Sequence, residues 1–248
     1  MSRQQHWESV YRTKGDAEVS WTQAQPRLSL SLIREVCPPG GRVIDVGGGA
    51  SVLAERLLEA GYRVAVLDIS ATALERARAR LGQRAGRVRW IVGDVTKLGD
   101  VTNFADATNL ASATDMTDVT RVAQASDATK ASAAPDPADL ADLGTFDVWH
   151  DRAVFHFLTE PADRAAYATL LSRTIPLGGH AVIATFAPDG PEQCSGLPVR
   201  RYAAPALAAE LAARGAAFDL IKTVPEMHIT PWGKAQSFQY SLLRRMTA

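Results

Sequence analysis

Only two cysteines, Cys37 and Cys194, occur in the 248 residues, far apart and without the paired spacing that a disulfide framework or a cysteine metal site needs. A reducing, cytoplasmic setting is therefore expected, with no metal site. Net charge is missing as well. Lys and Arg number 27 and Asp and Glu 27, so the whole chain lacks the basic footprint of a nucleic-acid binder. Long apolar runs are absent, and so is a basic stretch followed by an apolar one. Neither membrane insertion nor secretion is then expected. The length suffices for one large α/β domain with a substantial buried core.

The sequence is organised around residues 42–51, RVIDVGGGAS. Val43, Ile44 and Val46 read as a buried parallel strand broken by one carboxylate, Asp45. Gly47, Gly48 and Gly49 then read as a tight turn where backbone passes close to something. In SVLAERLLEAG, Leu53 and Leu57 lie one helical turn apart and Gly61 is a natural C-cap. Strand, glycine turn and helix together open a nucleotide-binding βαβ unit. A second strand, RVAVLDIS, sets Asp68 about twenty residues past the glycines, where such units place the acid that binds ribose hydroxyls. A dinucleotide turn is nevertheless incomplete here. The third glycine of G-x-G-x-x-G is replaced by Val52, and Asp45 would stand beside a pyrophosphate. An acid in that place suits a cationic or amine-bearing ligand.

D-x-G-x-G followed by an acid after the second strand resembles class I S-adenosylmethionine-dependent methyltransferases. The resemblance implies that Asp45, Gly47, Gly48 and Gly49 lie at the amino acid part of S-adenosyl-L-methionine. It also implies that Asp68 and Ile69 lie at the ribose, and Asp94 and Val95 of WIVGDV beside the adenine, with S-adenosyl-L-homocysteine as the product. Ser51 departs from the family, which usually has another glycine there. The implied fold is α/β, a Rossmann-like doubly wound seven-stranded sheet, mostly parallel with an antiparallel last strand. It would occupy residues 41–248, after an N-terminal lid and helices over 1–40.

Other segments follow in order. QQHWESVYR places Trp7, Val10 and Tyr11 at helical spacing, a packing face. The loop after it, carrying VSW, resembles the lid of several small methyltransferases. Trp21 would then either cover the methionine part of the ligand, its ring attracting the sulfonium, or simply pack the lid. Leu28, Leu32 and Val36 define a helix stopped by PPGG, and Ser70 is a good N-cap for a helix with Leu74, Ala77 and Leu81 inward. From about 99 to 143 the sequence is rich in Ala, Thr, Asp and Ser and nearly free of aromatics, as expected of a mobile insertion between strands three and four.

FDVWHDRAVFHFL should bring His150, Asp151 and Arg152 to the rim that holds the glycine turn. The [ND]-P-P-[YF] motif of amide and adenine methyltransferases is absent. WHDRA instead resembles the W-D-R segment of the thiopurine methyltransferase group, which acts on thiols and related soft nucleophiles, and a similar acidic-basic pair occurs in small lysine methyltransferases. The three residues are the catalytic candidates. His150 or Asp151 would take a proton, and Arg152 would hold an anionic acceptor or pair with Asp151. His156 is a core histidine or a substrate contact. Cys194, Arg200 and Arg201 in the loop APDGPEQCSGLPVRRY, and His228 and Trp232 in the last turn, are further acceptor-side candidates. The expected acceptor is a small molecule, a thiol or similar nucleophile, with a protein lysine as the alternative. A non-catalytic S-adenosylmethionine binder or a nicotinamide enzyme is the third reading. No nucleic-acid or membrane partner is expected, and the oligomeric state is open.

Overall fold

The computed structural model describes residues 1–15, 18–97 and 143–246. The insertion expected at about 99–143 lies outside these residues except for Leu143, which is buried. In chain order the elements are α1 (Arg3–Thr13), α2 (Arg27–Val36), β1 (Arg42–Val46), α3 (Leu53–Glu59), β2 (Arg63–Asp68), α4 (Ala71–Leu81) and β3 (Val88–Val92). After the insertion come β4 (Val148–Arg152), α5 (Pro161–Thr174), β5 (His180–Phe186), β6 (Gln193–Cys194), β7 (Leu197–Pro198), α6 (Ala204–Ala212), β8 (Phe218–Ile229) and β9 (Ala235–Arg245).

Seven strands form one sheet in the order β3-β2-β1-β4-β5-β9-β8. The first five are mutually parallel, and β9 runs antiparallel between β5 and β8. This is the Rossmann-like methyltransferase fold that the resemblance implies. Its layering follows from alternation along the strands. Val43, Val64, Val148 and Val182 point to one face and pack with Leu32 and Ile33 of α2 and Leu53 and Leu57 of α3. Ile44, Ala65, Trp149 and Ile183 point the other way, onto Tyr167 and Leu171 of α5 and Leu207 and Leu211 of α6. A fully buried side chain of this size contributes about 1.5–3 kcal/mol, so the two faces hold the sheet between two helical layers.

Local chemistry sets the element ends. The Ser70 hydroxyl accepts from the Ala73 amide at 3.2 Å, capping α4 as its sequence suggests. The loop after β5 holds more order than expected. Cys194 and Leu197 pair across a two-residue turn in which Ser195 (φ 52°) and Gly196 (φ 75°) are both left-handed, the conformation that tight hairpins favour.

The turn after β4 is pinned from beneath. Ala153 is left-handed at φ 73°, and Asp151 holds the turn by accepting from the Val154 amide at 2.8 Å and the Phe155 amide at 3.0 Å. Tyr167 of α5 donates to the same carboxylate at 2.7 Å while accepting from Trp149 Nε1 at 2.8 Å. We expect Tyr167→Phe to strand the buried indole N–H and one carboxylate lone pair, and so to lower stability by about 2 kcal/mol. Urea unfolding checks this; a loss below ~0.5 kcal/mol would show that the pair is replaceable.

Candidate active site

Parallel strands β1, β2 and β4 end at one rim, and the loops that follow them enclose two adjoining cavities open to solvent. The first, of about 730 Å³, runs past Asp68, Ile69, Asp94 and Val95 and is roofed by Arg3, Trp7 and Tyr11 of α1. The second, of about 870 Å³, is walled by Ser29, Asp45, Gly48, Ser51 and His150. Tyr11, Trp21, Gly47 and Arg152 border both. Gly47 has φ +67°, and a Cβ there would run into Val154. Gly49 has φ +50°, and its Cβ would stand 2.5 Å from the Tyr11 hydroxyl. Only glycine lets this turn pass under the roof.

Asp68 ends β2 with a buried carboxylate. It accepts from the Ser70 amide at 2.8 Å and from the Gly49 amide. Burial outweighs these bonds, with Asp45 and Glu8 adding repulsion, and pushes its pKa up to about 7. Asp45 lies beside His150 in the β1–β4 register, and its Oδ1 is 2.7 Å from His150 Nδ1. His150 Nε2 is 2.9 Å from the Ser29 hydroxyl. Asp94 Oδ1 accepts from the Thr96 amide at 3.0 Å and hydroxyl at 2.7 Å, and Arg3 reaches it at 3.4 Å. Arg152 donates to the Tyr240 hydroxyl at 3.0 Å and the Trp21 carbonyl at 3.0 Å, pairs with Glu226 at 3.4 Å and stacks over Phe238.

The sequence grouped His150, Asp151 and Arg152 as one trio; alternation divides them. His150 and Arg152 face α2 and line the cavities, whereas Asp151 faces α5, is wholly buried and lines neither. Burial raises its pKa to about 6 against the pull of Tyr167 and the turn amides. Cys194 does border the first cavity, 3.9 Å from the Ser20 hydroxyl, and burial pushes its thiol up to about 11. The remaining acceptor-side candidates lie away from both cavities. His156 is in the core, where burial takes its pKa down to about 3 and its Nδ1 accepts from the Phe186 amide. Arg200 is exposed and donates to Tyr202, Arg201 donates to Gly190 and Glu192, and His228 donates to the Ser20 carbonyl at 2.6 Å. Trp232 is 58% exposed at the hairpin tip.

The roof adds Arg3 and Trp7, which the expected N-terminal lid did not single out as site residues. Trp7 packs edge-on against Trp21 and Phe157 at centroid distances of 5.5 and 5.1 Å, and Arg3 is paired with both Asp94 and Asp163. Two large aromatics four residues apart on a mostly polar helix are the signal in the sequence. Among the described residues no group of three or more His, Cys, Asp or Glu could hold a metal ion, and no helix is long and apolar enough to cross a membrane.

The donor set fits S-adenosylmethionine. Asp68 offers a carboxylate to vicinal hydroxyls, Ile69, Val95 and Leu158 offer apolar walls to a planar ring, and Asp45 offers a negative partner to an ammonium. A pyrophosphate between Asp45 and Asp68 would be repelled.

Comparison with known proteins agrees with this chemistry. Residues 43–136 match the family model described as a methyltransferase domain. No curated protein matches the chain. Among solved structures, the chain is similar in fold to the Burkholderia thailandensis 1,6-didemethyltoxoflavin-N1-methyltransferase, with 18% identity, 98% of this chain and 87% of that chain covered, and a TM-score of 0.62. It is also similar to the N-methyltransferase NodS of Bradyrhizobium japonicum, with 13% identity, 97% and 98% coverage and a TM-score of 0.60. A third is a protein from the conversion of a disulfide bond into a thioacetal group during echinomycin biosynthesis, with 18% identity, 98% and 93% coverage and a TM-score of 0.65. Residues 43–136 thus match a methyltransferase domain, and the described chain shares the fold of these methyltransferase structures.

Asp68 makes a pH test available. Its folded pKa of about 7 lies above the ordinary 3.8, so the folded state binds this proton more tightly than the unfolded chain does. The resulting stability is fully present below pH 3.8 and is lost as pH rises through 7, at about 1.4 kcal/mol per pH unit. Asp151, at about 6, adds the same sign over a lower window. The histidines whose pKa values burial lowers act with the opposite sign near pH 6.5, but equally in both proteins. Between pH 6 and 7 we therefore expect the thermal stability of ligand-free wild type to fall relative to Asp68→Asn measured at the same pH. Parallel curves for the two proteins would contradict the assignment.

Proposed function

We propose that the protein moves the methyl group of S-adenosylmethionine to a nucleophile on a small molecule, a thiol or similar soft acceptor. The observation that carries this reading is the pair of acids, Asp45 and Asp68, standing at one rim on either side of the glycine turn, each opening into a cavity. When bound, the cofactor supplies a methyl group made electrophilic by its sulfonium. Asp68 would accept from its ribose hydroxyls, Ile69 and Val95 would flank its adenine, and Asp94 would meet the ring's amino edge. Asp45 and Gly48 would hold the amino acid end, and Trp21 would cover the sulfonium region.

What the protein adds to the chemistry is alignment and exclusion of water. His150 has both ring nitrogens engaged and Asp151 is sealed beneath the turn, so neither is well placed to take a proton from an acceptor. An acceptor that brings its own lone pair, such as a thiolate, suits this arrangement. It would enter between Trp7, Trp21, Phe157 and Arg152. The Cys194 thiol there, held protonated by burial, is a poor competitor for the methyl group. A small acceptor is favoured because α1 and its aromatic contacts roof this room, and because the similar Burkholderia structure holds 1,6-didemethyltoxoflavin.

Methyl-labelled S-adenosylmethionine, incubated with the protein and a cell extract divided into small solutes and macromolecules, tests the reading. We expect label in a small solute; label confined to lysine of a protein would overturn it in favour of protein methylation. For the ribose assignment, Asp68→Ala should weaken S-adenosylhomocysteine binding by about 1.5–3 kcal/mol. Unchanged affinity in that variant, if folded, would remove Asp68 from the site.

A further inference from the structure

Asp45, His150, Arg152 and Tyr240 lie on the α2-facing side of the sheet, and strand register sets them in two rows. Asp45 pairs with His150 across β1 and β4, while Arg152, Ala184 and Tyr240 align across β4, β5 and β9. Ser29 descends from α2 between the rows. Arg152 Nε donates to the Tyr240 oxygen at 3.0 Å, Tyr240 is 3.5 Å from Ser29 Oγ, Ser29 is 2.9 Å from His150 Nε2, and His150 Nδ1 is 2.7 Å from Asp45. The Tyr240 hydroxyl has a second acceptor, Glu226, at 3.4 Å.

The end groups orient this series. Arg152 can only donate and the Asp45 carboxylate is the terminal acceptor, so every hydrogen between them can point the same way: Arg152 to Tyr240, Tyr240 to Ser29, Ser29 to His150, His150 to Asp45. Beyond Arg152 the series continues into the roof, because the Trp21 carbonyl accepts from the guanidinium and Gln23 donates to Glu226 at 3.0 Å.

We propose that this series is a positioning relay in which His150 fixes the Asp45 carboxylate for the ammonium end of S-adenosylmethionine and couples it, through Ser29 and Tyr240, to the 21–23 segment over the acceptor room. His150 is then a positioning residue, not a proton acceptor in the reaction. The inference rests on the reading of the two cavities as the cofactor site. It gives a function to Tyr240, which lines neither cavity and whose hydroxyl no cofactor contact requires.

The test uses Tyr240→Phe, Ser29→Ala and the double variant, with S-adenosylhomocysteine binding measured by calorimetry. Each single change should weaken binding roughly three- to tenfold, the span of one net hydrogen bond. The double variant should be no worse than about twice the poorer single one, because both cut one series. Nitrogen NMR of His150 in the ligand-free wild type should show Nδ1 protonated and Nε2 bare. The Nε2 signal should also move in Tyr240→Phe, which does not touch the imidazole, a change that a histidine held by Asp45 alone would not show. Wild-type binding with both single variants unchanged, fully additive losses, or a His150 protonated on Nε2 would overturn the relay. Absence of binding by the wild type would instead overturn the cofactor reading on which the relay stands.

Discussion

Three carboxylates buried where strands end govern this structure: Asp45 is 3% exposed, Asp68 7% and Asp151 fully buried. A buried charge without partners costs several kcal/mol, comparable with the whole stability of a domain, so each must be answered locally. The three answers differ. Asp151 is answered completely, by two turn amides and Tyr167, and so becomes a fastener of the turn after β4. Asp45 is answered by the imidazole beside it in the register. Asp68 is answered least well, by backbone amides alone, and burial raises its pKa to about 7, above the about 6 of Asp151. In the proposed function the hydroxyls of a bound ribose complete what the fold leaves short. Incomplete satisfaction of that kind is a usual mark of a ligand site.

Around these acids the rest is support. α1 is fixed over the rim at its start and its middle: Arg3 reaches Asp94 and Asp163, and Glu8 accepts from the Ala71 amide at 2.6 Å at the start of α4. Its aromatic residues thus roof the first cavity without a large hydrophobic interface of their own. Behind Arg152 lies the β8–β9 hairpin, which brings Glu226 and Tyr240 to its guanidinium. Both cavities are thus lined by segments remote from one another in the chain.

Much of this could be read from the residues. The apolar run, the glycines, the second acid and the Ser70 cap are local signals with local causes, and each is found where the sequence puts it. The terminal hairpin and the fifth strand are equally plain. Site membership was less legible, for two reasons. In β4 the period-two rule already separates Asp151 from His150 and Arg152, yet their adjacency in WHDR suggests one functional trio. His156 and Arg200 depend on where irregular segments come to rest, and His228, expected in the last turn, is still in β8, paired with Gln236; long-range packing decides these placements and no local spacing encodes them. The roof is of the same kind. Trp7 and Tyr11 read as an ordinary packing face because the surface they pack on, the glycine turn and Phe157, is remote in sequence.

The central claim is that the two cavities form one S-adenosylmethionine site and not a dinucleotide site. Calorimetric titration of the unmodified protein with S-adenosylhomocysteine, and separately with oxidised and reduced nicotinamide dinucleotides, tests it most directly. The account requires one saturable site for S-adenosylhomocysteine and no measurable heat from either dinucleotide. Saturable dinucleotide binding, or no binding of S-adenosylhomocysteine, would contradict it.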